Sequence, residues 1–291
     1  MKLKKFAALL LAAAMMMSLA ACTKDPAQSG AGGNSGNTQT GDTDKKDDAK
    51  KDGKQSDGTA NADTLVLGTS ADFAPYEYHK MMDGKDTILG FDVALARQIA
   101  ADMGKELVIK DMDFGNLLTE LQNGTVDLVA AGLSPTEERK KEVDFSEPYY
   151  FGDQCCIIRE EDAGTYKSPA DFKGQSLAAQ VNSIQEGIVK EQFPDATLVS
   201  LAKLPDEIMS LTSNKVEGVI VEVAVAKGFI AQNPGLMIAE FDVPYEAKGS
   251  CIAVQKGNET LLEQVNKTIA EVKENGKMEE FIKEAGASAE Y

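Results

Sequence analysis

Two side chains in this sequence have the type and placement to recognise a small charged molecule. Arg139 lies in Ser134-Pro135-Thr136-Glu137-Glu138-Arg139, just past a strand-like run at Val126–Ala130. Its planar guanidinium fork matches a carboxylate with two parallel hydrogen bonds. The competing reading is a surface arginine paired with Glu137 or Glu142. Glu222 follows the apolar run Gly218–Val221. An acid at the carboxyl end of a buried strand suits a cationic group; equally, it suits the positive end of a helix starting there. An arginine and a glutamate facing one space would read a zwitterion, its carboxylate and its ammonium. Phe73 and Phe114 follow strands and either wall an organic side chain or pack into a core. Ser134, Ser183 and Gln185 have no histidine nearby to activate them, and His79, beside Lys80, reads as a solvated residue.

Composition removes other chemistries. The chain of 291 residues has 47 acidic against 30 basic side chains, for a net charge of −17, so it lacks the basic balance that nucleic acid requires. A single histidine excludes multi-histidine metal sites, and the 4 cysteines form no Cys-x-x-Cys pair. There is no Gly-x-Ser-x-Gly elbow and no phosphate loop. No cofactor is expected.

The elements that must position these residues alternate in type. Strand-like runs occur at Thr64–Thr69, Leu107–Ile109, Val126–Ala130, Cys155–Ile158, Ser176–Ala179, Thr197–Leu201, Gly218–Val221 and Cys251–Val254. Between them run helical stripes: Phe91, Leu95, Ile99 and Met103; Leu117 to Leu121; Ile184 to Val189; Asp206 to Leu211; a helix through Phe229; and a tail from Glu259 to Val272. The pattern predicts an α/β protein with mostly parallel sheets. Leu118, Leu121, Val126, Asp127 and Val129 recur 90 residues later as Ile208, Leu211, Val216, Glu217 and Val219. Two lobes of similar construction would explain the echo. Ligands of open α/β sheets sit outside the carboxyl ends of strands. That points to Ala131-Gly132-Leu133-Ser134 in one lobe and Glu222 in the other.

The amino terminus reads as an export signal. Lys2, Lys4 and Lys5 precede an apolar run of about 12 residues, too short for a bilayer core of ~30 Å. Leu19-Ala20-Ala21-Cys22 fits cleavage before a cysteine that then carries lipid. Residues 1–21 are therefore expected to be a lipoprotein signal peptide, and 22–62 the lipidated Cys22 with a Gly/Ser/Asp/Lys-rich flexible tether. The signal carries three lysines, and the tether six Lys against seven Asp. Residues 63–291 therefore carry −19.

A set of short motifs then appears in order: Ser70-Ala71-Asp72-Phe73-Ala74-Pro75-Tyr76-Glu77, Gly90-Phe91-Asp92-Val93, Met112-Asp113-Phe114, Val126-Asp127-Leu128-Val129, Thr136-Glu137-Glu138-Arg139-Lys140-Lys141 and Val143-Asp144-Phe145-Ser146-Glu147-Pro148-Tyr149-Tyr150. Over residues 63–291 the chain resembles family 3, the polar amino-acid-binding extracellular solute-binding proteins of ABC importers, in lipoprotein form. The resemblance implies a periplasmic-binding-protein-like α/β fold of two lobes joined by a two-strand hinge, with an L-amino acid between them. Lobe 1 would comprise 63–150 and 251–291, and lobe 2 residues 151–250, with crossovers near 150–154 and 247–250.

The resemblance also assigns roles. Arg139 would clamp the α-carboxylate, with the backbone around Ala131, Gly132 and Ser134. Glu222 would take the α-ammonium. Phe73 and Phe114 would pack on the side chain, and Gln180, Ser183, Ile184 and Gln185 would close from lobe 2. Ser70 stands where several relatives have an acid that reads the side chain, which argues against a basic ligand unless Asp72 or Glu77 substitutes. Asn182 stands where a glycine is usual, which predicts an altered turn. The implied partners are a free L-amino acid, permease subunits of the importer, and the membrane through the lipid alone. The implied state is a monomer on the outer face of the cytoplasmic membrane. The rival function is an enzyme on the same fold, resembling cyclohexadienyl dehydratase, with Glu222 or Glu77 as acid or base. Cys155, Cys156 and Cys251 fall beside the crossovers and are read as buried thiols, the alternative being a disulfide from Cys251 to one of the others.

Overall fold

The computed structural model describes residues 63–289; the expected signal peptide, Cys22 and the tether lie outside the described residues. β1 (Thr64–Thr69) buries Leu65 and Leu67. β2 (Asp72–Phe73) pairs with β3 (Glu77–Met82), which turns at Asp83-Gly84 into β4 (Lys85–Leu89). Both turn residues have positive φ, as a two-residue hairpin requires. α1 (Phe91–Asp102) follows, with Phe91, Leu95 and Ile99 buried along one face. β5 (Glu106–Asp111), α2 (Leu117–Gln122), β6 (Leu128–Val129), α3 (Arg139–Glu142) and β7 (Val143–Phe145) complete the first run. The second run is β8 (Gln154–Arg159), β9 (Ser176–Gln180), α4 (Ile184–Gln192), β10 (Thr197–Leu201), α5 (Leu204–Thr212), β11 (Gly218–Glu222), α6 (Val223–Gln232) and β12 (Leu236–Ile238). The chain then returns through β13 (Ala253–Gln255) to α7 (Glu259–Glu274) and α8 (Lys277–Ala289).

These strands form two sheets of five, ordered β5-β1-β6-β13-β7 and β10-β9-β11-β8-β12. The orders are the same construction twice: three parallel strands with the earliest in the middle, β5-β1-β6 and β10-β9-β11, then one strand delivered by a connection from the other sheet, β13 or β8, then the last. In each sheet only the delivered strand, β13 or β8, opposes its neighbours. The expectation of mostly parallel sheets is therefore corrected: each sheet has two parallel and two antiparallel pairings. The reason is topological. Helical crossovers return a chain parallel to itself, whereas a strand arriving from the opposite lobe enters head-on.

The 90-residue echo is structural. Asp127 accepts from the Val66 N–H at 2.7 Å, and its own N–H donates to Val66 O at 2.8 Å. Glu217 accepts from Ser176 N–H at 2.8 Å, and its N–H donates to Ser176 O at 2.8 Å. Each acid thus locks the third strand of its sheet to the start of the first. The preceding turns also match: Gly124 and Asn214 both have positive φ and close α2 and α5 with bonds to Leu121 O and Leu211 O. Leu121, Leu211, Val126 and Val216 are all buried.

Two connections, residues 146–153 and 239–252, join the sheets and pass each other antiparallel. Ser250 N–H donates to Tyr150 O at 2.7 Å, and Gln154 pairs with Val243. The thiols beside them, Cys155, Cys156 and Cys251, are buried and free. α8 ties the end of the chain to the hairpin: the Tyr78 hydroxyl donates to Ala285 O at 3.2 Å and Lys80 Nζ to Ser288 O at 2.6 Å. Among the described residues no helix is long and apolar enough to cross a membrane.

Candidate ligand-binding site

Between the carboxyl ends of the two sheets lie two adjoining small spaces of about 20 Å³ each that share Phe73, Gly132, Ser134, Ile184 and Gln185. Every one of the twelve ligand-binding residues expected from the sequence lines one or both. Glu222 lines the first; Ser70, Phe114, Ala131, Arg139, Gln180 and Ser183 line the second. A wide groove that also touches Phe114, Arg139, Ser183 and Ile184 opens this space to solvent.

Arg139 does not behave as a surface arginine. Glu137 pairs instead with Lys140 at 3.0 Å, and Glu142 accepts from Gln122 at 2.9 Å. The Arg139 guanidinium turns inward, 5.5 Å from the Phe114 ring centroid. Nη1 donates to Ser134 O at 2.7 Å within the first lobe, and Nη2 to Asn182 O at 2.8 Å across the cleft. Burial lowers its pKa to about 10, so it stays charged at neutral pH. Of its five N–H donors, these two orient the fork. Asn182 keeps φ at 62°, the left-handed turn that a glycine would supply. The expected alteration of this turn is therefore overturned, because asparagine tolerates that conformation and its carbonyl is free to meet Arg139.

Glu222 takes the helix reading and keeps one oxygen for the cavity. It is the N-cap of α6, accepting from Ala224 N–H at 3.2 Å through Oε1. Oε2 is buried in the cavity wall with no partner among the described residues. Burial pushes the carboxyl up to about 7, opposed by the Tyr76 hydroxyl and the Ala224 N–H. Gly152 makes room for it: a Cβ there would stand 2.4 Å from Glu222 Cδ.

The remaining residues divide by what their polar groups already hold. Gly132 has φ at 55°, and a Cβ there would stand 3.0 Å from Phe73. Its N–H is committed to Asp92 Oδ2 at 2.9 Å, so it shapes the floor rather than donating into the cavity. The Ser134 side chain is hydrogen-bonded to Tyr245. Gln185 donates to Gln154 at 2.9 Å, and Gln180 to Ala202 O at 3.1 Å. Ser183 caps α4, whose first turn brings Ile184 and Gln185 to the cavity with the positive end of the helix. Ser70 donates to Asp72 at 3.2 Å, and Asp72 accepts from Leu204 N–H of the other lobe at 3.1 Å. Lys203 pairs with Asp113 at 3.2 Å beside them. His79 is exposed, as expected, and bridges Asp86 and Asp111 at 2.9 and 3.3 Å.

Of the buried acids behind the site, sequence reasoning raised Glu77 only as a substitute and missed Asp92. Glu77 and Asp92 are both buried, and burial, with the neighbouring acids acting the same way, pushes the Glu77 carboxyl well above the usual carboxylate range. Asp92 also accepts from the Tyr149 hydroxyl at 2.8 Å. One signal was present: Asp92 lies on the apolar stripe of α1 with Leu95 and Ile99. Tyr76, Gln154, Tyr245 and Ser250 were missed as well; isolated polar or aromatic residues in irregular connections carry no periodicity.

A family model described as bacterial extracellular solute-binding proteins, family 3, matches residues 65–286. The arginine-binding extracellular protein ArtP of Bacillus subtilis is 38% identical over 222 residues, 75% of this chain and 84% of that protein. A probable histidine-binding protein of Campylobacter jejuni is 29% identical over 221 residues, 76% of this chain and 84% of that protein. Among solved structures, the amino acid ABC transporter substrate-binding protein AbpA of Streptococcus pneumoniae bound to L-arginine aligns with a TM-score of 0.76 and 39% identity, over 79% of this chain and 97% of that one.

Proposed function

The chain belongs to family 3 of the bacterial extracellular solute-binding proteins, and from that premise we propose that it captures a free polar L-amino acid and delivers it to the permease of an ABC importer. The observation that carries this reading is the opposite-charge pair of half-buried Arg139 and buried Glu222, which line two adjoining spaces that share Phe73, Gly132, Ser134, Ile184 and Gln185. Arg139 and the N-terminus of α4 take the α-carboxylate. Glu222 Oε2, without a protein partner, takes the α-ammonium. Phe73 and Phe114 flank the side chain. Each charge-assisted hydrogen bond contributes roughly 1.5–3 kcal/mol, so three or four of them bring affinity to about −8 kcal/mol, the micromolar range. Arginine is the first ligand to test, because relatives are named for it and because Asp72 and Glu77 line the cavity beyond Ser70.

Delivery requires that the permease distinguish a loaded receptor. With Arg139 bonded across the cleft and Asp72 to Leu204, the lobes meet through charged groups that need partners once water leaves. The lipid at Cys22 and the tether of residues 23–62 hold the receptor near the importer as a monomer on the outer membrane face. The reading is binding without turnover; turnover of a prephenate-like substrate would favour the rival enzyme. The test is calorimetry on the purified unacylated chain. Arg139→Ala should lose amino-acid binding by 100-fold or more, about 2.7 kcal/mol, while its far-ultraviolet circular dichroism stays native. Normal binding by that variant refutes the assignment.

A further inference from the structure

A second space opens on the other side of Asp72. It is a crevice of about 370 Å³ between the lobes, and Asp72 is the one described residue that lines both it and the ligand space. Small-molecule sites span roughly 300–1,000 Å³. Asp72 ties the lobes together in the wall between the two spaces. Its Oδ2 accepts from the Leu204 N–H at 3.1 Å. α5 has no side-chain cap of its own at Lys203, so the opposite lobe supplies one. Lys203 Nζ in turn pairs with Asp113 at 3.2 Å. The second-lobe wall of the crevice is one stripe of α6: Val225, Gly228, Phe229 and Gln232, spaced i, i+3, i+4, i+7. Glycine in the middle of a helix is a poor helix former. Packing does not demand it here, because a Cβ on Gly228 would meet nothing within 4 Å. The stripe therefore has a gap that keeps the crevice open. The first-lobe wall carries the carboxylates of Asp72 and Asp111. Of the basic side chains on the lining, Lys203 is spent on Asp113, and His79 lies between Asp86 and Asp111.

We infer that this crevice is a second binding site, for a small organic amine with an apolar body and no carboxylate. The ammonium group meets Asp72 and Asp111. A carboxylate has about four acceptor positions. Asp72 uses two of them, on the Ser70 hydroxyl and the Leu204 N–H, and Asp111 accepts from the Ala71 N–H at 2.8 Å and faces His79. Both keep capacity for a further donor. The apolar body lies against Val225 and Phe229 on the α6 stripe. A free amino acid is disfavoured here, because its α-carboxylate would meet charges of its own sign. The two walls belong to different lobes, so opening the lobes takes the site apart. An occupant therefore binds the closed form better and favours closure, and with it retention of the ligand next door. That coupling is reciprocal: the amine and the amino acid raise each other's affinity by the same factor. The coupling rests on the proposed function; the site itself does not.

Calorimetry of the unacylated chain tests this with 2-phenylethylamine as the probe. Its neutral isostere 2-phenylethanol and its carboxylated counterpart L-phenylalanine are the controls, each titrated with and without saturating L-arginine. The amine should bind the arginine-loaded chain about tenfold or more tighter than either control, the worth of one charge-assisted hydrogen bond. Withdrawing L-arginine should weaken the amine about fivefold or more, and saturating amine should tighten L-arginine by the same factor. Gly228→Leu fills the gap in the α6 stripe with a better helix former. It should abolish amine binding and leave L-arginine affinity within about twofold, as expected of separate sites. No amine binding to the loaded chain, equal binding of the alcohol, displacement of the amine by L-arginine, or amine binding that survives Gly228→Leu overturns the inference. The first three comparisons use only the wild-type chain, so they decide even where the variant fails to fold. If no amino acid binds, the proposed function falls and the crevice is judged alone, upheld by amine binding that Gly228→Leu removes and overturned without it.

Discussion

Raising the pH from 5 to 8 should weaken the unliganded protein, and Glu222 should account for a measurable part of the loss. Burial raises its pKa from 4.5 to about 7 in the folded chain. A group raised on folding binds more protons native than unfolded across that interval. Its contribution is complete below the unfolded value and disappears as pH climbs through the folded one. Worked through, the decline between about pH 5 and 8 is about 2.5 kcal/mol. For a folded region of this size that is roughly 5–10 °C in Tm. The three carboxylates held low by partners, Glu137, Asp144 and Asp171, titrate at the acid side and leave this window alone. Other acids and overall charge repulsion contribute too, so the informative quantity is a difference. Urea unfolding at several pH values should show wild type losing about 2.5 kcal/mol more than Glu222→Gln over that range. Saturating ligand, whose ammonium keeps Glu222 ionised, should remove the excess. Parallel stability profiles for the two proteins, or a wild-type profile that rises more steeply than the variant's, would refute burial as the cause.

Three further outcomes follow from the geometry. Gly152→Ala places a Cβ 2.4 Å from Glu222 Cδ, so it should displace the carboxyl and weaken ligand binding tenfold or more, about 1.4 kcal/mol, measured by calorimetry. Asp127→Ala and Glu217→Ala each break the same strand-locking bond in a different lobe; each should cost about 1.5–3 kcal/mol in urea unfolding, and the double variant should show their sum. On the proposed lipid anchoring at Cys22, Cys22→Ser should shift the protein from the membrane fraction to the soluble one; fractionation and immunoblotting read this directly.

Legibility in the sequence followed local physics. The α1 stripe is readable because a four-residue apolar repeat has one regular solution. The strand-locking acids are readable as an echo because both lobes solve the same problem with the same spacing. The β3–β4 hairpin is not readable: Glu77 is buried while Met81 and Met82 are exposed, the reverse of what side-chain type suggests. Strand direction was misread because an apolar run carries no record of which lobe its neighbour came from. Arg139 and Glu222 each had a bland alternative in sequence; only the cleft geometry removes the surface pairing for Arg139 and shows Glu222 capping a helix with its second oxygen unpartnered among the described residues. Asp92 escaped notice because an acid in a first helical turn normally complements the dipole. Its real partners, Gly132 and Tyr149, are 40 and 57 residues away.

The acidity of this chain therefore has two unlike parts. Most of the 47 acidic side chains are solvated and set only the long-range charge. A few are stripped of water and left with oxygens that no described residue satisfies: Glu77, Asp92 and Glu222 around the ligand space, and Glu207 in the first turn of α5 beside Asp72 and Glu186. Unpartnered buried groups of this kind each cost about 1–3 kcal/mol, and selection for stability alone would replace them with apolar residues. Their positions argue that the cost is retained for function. All four lie at or near the seam between the lobes, where opening restores water and closing removes it. A difference of a few kcal/mol is enough to set a two-state equilibrium, so on the proposed function the carboxyls that would recognise a cation would also disfavour closure when none is present. Recognition and signalling would then need no separate device, because the group proposed to bind the ligand would be the group that resists the closed state without it.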